Sequence, residues 1–215
     1  MAIVISMEKN RLEAFSDGVL AIIITIMVLE LKVPHGEDIS ALLPLWPTAL
    51  SYVLSFVYVG IYWNNHHHMM QVTHGVNGSI LWSNLHLLFW LSLLPFTTGW
   101  MGENHFLRWP TLVYGINLLF CAIAYYILQS MIIRMQGKDS LLAHAIGRNW
   151  KGKSSPILYA LGILAAWLHA PHLGILFYIL VSLLWLVPDR RMERALSNHS
   201  IHALTKNPAK MDESV

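Results

Sequence analysis

From Ile39 through Gly102 the chain runs for 64 positions without an Asp, Glu, Lys or Arg. Ordinary globular domains carry roughly a quarter of their residues as charges, so a stretch of this length cannot coat itself for water. Across all 215 residues only 12% are charged and 55% are apolar, which places the chain among membrane proteins. The formal charge of +2 is too small for a nucleic-acid partner, and the basic residues sit beside apolar segments instead of forming a stripe. Cys121 is the single cysteine, which excludes an intramolecular disulfide and a thiol-rich metal cluster.

A helix needs roughly 20 apolar residues to cross the hydrocarbon core. Divided by that length, the sequence predicts an all-α membrane domain over residues 1–188 with six transmembrane helices. They cover about 11–31, 42–65, 79–101, 109–133, 155–170 and 172–187, followed by a polar tail over 189–215. Asn10 and Glu13 have the spacing of a capping box at the start of the first span, and Pro34 marks its end. Gly75 and Gly78 are turn signals before the third. The charge-free run from Ser154 to Pro188 has 35 positions, long for one helix and short for two, so it reads as a tight hairpin broken at His169–His172. Glu13 and Asp17 precede the apolar stretch of the first span and no small-residue cleavage motif closes it, so it reads as a retained helix and not a signal peptide. Of the 14 basic residues, Lys9, Arg11, Arg134, Lys138, Arg148, Lys151, Lys153, Arg190, Arg191, Arg194, Lys206 and Lys210 fall on one side of this layout, and only Lys32 and Arg108 on the other. The positive-inside rule then predicts cytoplasmic N and C termini. Trp46, Trp63, Trp100, Trp109 and Trp150 lie near predicted span ends, where indole rings favour the headgroup region.

The informative residues in a bilayer are the polar ones, because each is costly there. The first span reads RLEAFSDGVLAIIITIMVLEL, with Arg11, Ser16 and Asp17 near one end, Thr25 within the apolar run and Glu30 at the other end. Arg11 and Phe15 are four apart, within reach of a cation–ring contact. Asp17 needs a donor, and the supply at that level is Asn64, Asn65, His66, His67 and His68 with Trp82, Asn84 and His86, which predicts a buried polar network. Arg11 and Glu30 equally suit simple anchoring at the interface. Successive helical residues point about 100° apart, so the three histidines cannot converge on one metal ion. A haem held by axial histidines has no CxxCH motif to support it. Without GxSxG, HExxH or a divided pair of buried carboxylates, nothing supports an enzyme. Ile22, Thr25, Ile26 and Leu29 share one face of the first helix. That stripe is ordinary lipid contact or packing in a monomer, and a water-excluding constriction only if several first helices surround one axis.

Arg11, Phe15, Ser16 and Asp17 reproduce the RxxxFSD signature of the transmembrane protein 175 type potassium channels. RLEAFSDGVLAIIITIMVLELKVP resembles that family's first span, and the run LWSNLHLLFWLSLLPF is similar to its third span in bacterial members. The resemblance implies a homotetramer in the bacterial plasma membrane, with the first helix of each subunit lining a central pore that has no TVGYG filter. It places an apolar gate at Ile22, further rings at Ile26 and Leu29, and a hydroxyl ring at Thr25 that favours potassium over sodium. The signature residues Arg11, Ser16 and Asp17 would hold the pore helix against the second and third spans, with His67 and Asn84 as partners. No cofactor is implied beyond the permeant potassium ions, and no partner beyond the bilayer and further copies of the chain. The expected function is a leak-type, potassium-preferring cation channel; the alternative is a proton pathway or proton-coupled transporter that uses Asp17 and the histidine cluster.

Overall fold

Prolines, glycines and one asparagine decide where the helices start and stop. The computed structural model describes residues 2–137, 139, 140, 142, 143 and 150–186. Among these the regular elements are all helical: α1 (Ala2–Leu29), a 3-10 helix (Ile39–Leu45), α2 (Trp46–Gln71), α3 (Gly78–Ser92), α4 (Leu94–Glu103), α5 (Arg108–Gln136), α6 (Trp150–Trp167) and α7 (Pro171–Leu186). The Asn77 side chain caps α3 by accepting from the Ile80 amide at 3.0 Å. Pro47 and Pro171 sit at helix starts, where a missing N–H costs nothing.

Three sequence expectations change in detail. The capping box at Asn10 and Glu13 does not form, because α1 already begins at Ala2 and the amides there are inside the helix. The second helix does not end at residue 65 but carries the histidine run in its last turns, to Gln71. The third span is broken at Leu93: Pro95 has no amide to continue the ladder, so α4 restarts with that proline in its first turn. Four stretches, Lys9–Leu29, Ile39–Gln71, Gly78–Glu103 and Arg108–Gln136, are long and apolar enough to cross a membrane. With 18 and 16 residues, α6 and α7 reach only about 27 and 24 Å. Lys138, Arg148, Arg190, Arg191, Arg194, Lys206, Lys210 and the tail over 189–215 lie outside the described residues.

The core gathers where α5 meets α3, α4, α6 and α7. Ser55 of α2 hydrogen bonds Thr98 of α4 at 2.7 Å and Tyr114 of α5 at 3.0 Å, so polar contacts stitch the region behind the break. The α6–α7 hairpin is joined differently. A Cβ on Gly174 would lie 2.7 Å from the Gly162 carbonyl oxygen, and one on Gly162 would lie 2.4 Å from the Tyr178 ring, so only glycine permits this approach. His169 turns the hairpin in the left-handed region (φ 66°), and its Nε2 accepts from Arg108 at 2.7 Å. The Arg108 guanidinium lies 5.1 Å from the Trp109 ring and 5.0 Å from the Trp167 ring, which fastens the hairpin turn to the start of α5.

Candidate functional site

α1 has two unlike faces. Leu12, Ser16, Leu20, Ile23 and Met27 recur every three or four residues and are buried against α2, α3 and α4. Arg11, Phe15, Gly18, Ile22, Thr25, Ile26 and Leu29 follow the same spacing on the other side and are exposed, Ile22 to 58% and Leu29 to 76%. The stripe predicted from sequence is therefore an exposed face of α1, uncovered by the rest of the described chain.

The buried face is held by directional bonds. Ser16 Oγ donates to the Leu12 carbonyl at 2.8 Å, as a hydroxyl within a helix can, and accepts from Asn84 Nδ2 at 2.9 Å. Asn84 Oδ1 in turn faces His66 Nε2 at 2.8 Å. Because Oδ1 can only accept, Nε2 carries the proton, and the buried Nδ1 of His66 has no partner among the described residues. Ser16, Asn84 and His66 are all fully or nearly fully buried, so each bond is made where water cannot replace it.

A second set of bonds lies one helical ridge away. Trp63 Nε1 donates to Asp17 at 3.0 Å, and His67 Nδ1 donates to Glu13 at 3.0 Å while its Nε2 accepts from Gln71 at 2.8 Å. Glu13 and Asp17 are four apart on α1, and Trp63 and His67 are four apart on α2, with their rings stacked at 5.9 Å. The two adjacent histidines thus serve different partners in opposite tautomers. Of the expected contacts, Asn84 does meet Ser16, but the histidine joined to it is His66. His67, the expected partner of the signature, meets Glu13 instead. Arg11 and Phe15 stay on the exposed face, and the cation–ring contacts among the described residues belong to Arg108. Trp63 and Glu13 were missed as partners, although their matched four-residue spacing with His67 and Asp17 is visible in the sequence.

Thr25 lies between Ile22 and Leu29 on the exposed face, its hydroxyl donating to the Ile22 carbonyl at 2.8 Å. With its hydrogen used, the oxygen can act only as an acceptor toward any further partner. At the far end Lys32 pairs with Glu103, which links the loop after α1 to the end of α4 and, by hydrogen bond and charge, raises the pKa of the exposed ammonium. Glu30 lies against Gly99, where a Cβ would approach its carboxylate to 3.1 Å.

A family model described as the endosomal/lysosomal potassium channel TMEM175 matches residues 11–95, from the signature arginine to the proline that starts α4. The chain is 56% identical over 193 residues to a protein of Chryseobacterium sp. (strain P1-3) named as a potassium channel, covering 90% of this chain and all of that one. A Streptomyces collinus protein, also named as a potassium channel, is 38% identical over 100 residues, which are 45% of this chain and 48% of the relative. Among solved structures, that of a lysosomal potassium-selective channel TMEM175 homologue from Chamaesiphon minutus superposes with a TM-score of 0.73 at 27% identity, covering 85% of this chain and 98% of that one.

Proposed function

The chain belongs to the TMEM175 channel family, and from that premise we propose that it is a potassium-preferring, leak-type cation channel of a bacterial plasma membrane. Each subunit crosses the bilayer six times with both termini in the cytoplasm, and four copies bring their α1 helices around a common axis. The observation that carries this reading is the pair of faces on α1: one bonded to α2 and α3 through Ser16, Glu13 and Asp17, the other left bare from Arg11 to Leu29.

In that arrangement Ile22, Ile26 and Leu29 form apolar rings. Such rings offer no oxygen to replace a hydration shell, so the constriction excludes water and an ion passes only with much of its own water or at a desolvation cost. Potassium holds its water less tightly than sodium and is favoured at a passage that demands partial dehydration. The Thr25 oxygen, limited to accepting, lowers that barrier. Glu30 adds negative charge at the mouth. The chemistry is conduction, with no bond made or broken and no cofactor required.

Flux into proteoliposomes under potassium or sodium gradients, with a protonophore control, tests this directly. Potassium flux should exceed sodium flux, and Ile22→Asn should raise it by wetting the constriction. Flux unchanged in Ile22→Asn would remove the gate from that position. Proton movement alone would favour the alternative, a proton pathway built on Asp17 and the histidines.

A further inference from the structure

A cavity of about 190 Å³ opens between α2, α5, α6 and α7, away from the bare face of α1. It is walled by Tyr58, Tyr62, Tyr125, Tyr159 and Trp185, with Lys153 at its rim and Gln129 on its side. Most of the polar atoms on these walls are already used. Tyr58 donates to the Tyr178 carbonyl at 2.6 Å, Tyr125 to the Asn65 carbonyl at 3.3 Å, and Trp185 to the Ser155 hydroxyl at 2.8 Å. Two are not. The Tyr62 hydroxyl and the Gln129 amide make no hydrogen bond among the described residues, although the two side chains are only 8% and 7% exposed. Both side chains line the same space and their polar ends are open to it, and within a bilayer such a donor is met only by an acceptor that enters the space.

The cavity lies at the end of the bundle where α2, α5 and α7 finish and α6 begins, the end that also carries Arg134, Lys151 and Lys153. From Lys153 to Tyr159 the wall descends six residues of α6, about 9 Å. Lys153 stands near the start of α6, and Tyr62 and Gln129 face the same space from α2 and α5. An ordered water cluster needs several polar partners per molecule, which these mostly aromatic walls do not supply. The volume is below the roughly 300 Å³ at which pockets for whole drug-sized ligands begin, so it takes part of a molecule whose remainder lies outside.

We propose that this cavity binds one anionic phospholipid from the surrounding leaflet. Its phosphate pairs with the Lys153 ammonium, its ester carbonyls accept from Tyr62 and Gln129, and the first part of an acyl chain packs among Tyr58, Tyr125 and Tyr159. A free phosphate satisfies only the lysine, and a fatty acid brings no ester to the two donors. A zwitterionic lipid sets its own cation beside Lys153. The inference rests on the bilayer placement above but not on ion conduction, and its test reads binding alone.

The full-length protein in detergent, titrated with phosphatidylglycerol, phosphatidylcholine or inorganic phosphate, is followed by thermal unfolding and by native mass spectrometry for retained lipid. Phosphatidylglycerol should raise the unfolding temperature and survive as a single adduct, where phosphatidylcholine and phosphate do not. Lys153→Ala should weaken it about tenfold, the scale of one charge-assisted hydrogen bond. Ala122→Phe, which adds a ring at a partly buried lining position, should abolish the adduct. Equal shifts with both lipids in the wild type, an equal shift with phosphate alone, or an adduct undiminished in Ala122→Phe would each overturn the proposal. The wild-type lipid comparison needs no variant to fold.

Discussion

The junction of α1 with α2 and α3 and the α6–α7 hairpin are two ways of joining apolar helices. In the hairpin the backbones meet, Gly162 against Gly174 with the Tyr178 ring laid over the first, and contact over area does the holding. At α1 the helices are held by seven side chains that point at named atoms: Ser16, Asn84, His66, Glu13, His67, Asp17 and Trp63. The difference follows from what each must leave uncovered. A hairpin can bury small residues along its whole contact, whereas α1 keeps one face bare over its length and has only the other with which to fix its position and rotation. Directional bonds set rotation; smooth packing does not.

Substitutions can break the comparison from either side. Gly174→Leu should have the largest effect, since backbone blocks the new side chain. About 3 kcal/mol is expected, read as loss of monodisperse protein on size exclusion. Asn84→Leu removes the link between Ser16 and His66 and leaves the buried His66 Nε2–H without its acceptor; about 2 kcal/mol should appear as a lower unfolding temperature in detergent, with α6–α7 contacts intact by cysteine crosslinking. Ser16→Ala leaves the Asn84 amide without its acceptor but the His66 bond in place, and about 1 kcal/mol is expected in the same assay. Asp17→Asn keeps an acceptor for Trp63 and should cost about 0.5 kcal/mol or less. If Asn84→Leu proved harmless while Ser16→Ala did not, the bonds would not form the unit described here.

Most of the architecture was legible because charge-free length is a blunt and reliable signal: the helical class, the membrane-capable stretches and the hairpin with its turn near His169 all follow from it. The break at Leu93 was carried by Pro95, a residue visible in the sequence but read through because the apolar run continues past it. Ser16 and Asn84 were legible as polar residues in apolar helices. Which histidine meets them was not, since His66 and His67 differ by about 100° around α2 and only the packed register of two helices chooses between them. Trp63 looked like an interface anchor because the helix was ended at residue 65; with α2 running to Gln71, it sits two turns inside and is free to meet Asp17. Arg11 and Phe15 belong to the signature by sequence but make no hydrogen bond, ion pair or ring contact among the described residues.

The buried bonds from α2 to α1 also form a sentence with a direction. Each donor hands on toward the next: His66 Nε2 to Asn84, Asn84 Nδ2 to Ser16, Ser16 to the Leu12 carbonyl. Read as a wire for protons, it has an amide as its middle link and a peptide oxygen as its terminus, and neither takes up a proton and releases it near neutral pH. Charge entering at His66 has nowhere to go. The neighbouring contact of Glu13 with His67 is of another kind, an acid against an imidazole, and the run through Ser16 is an insulated strut beside it.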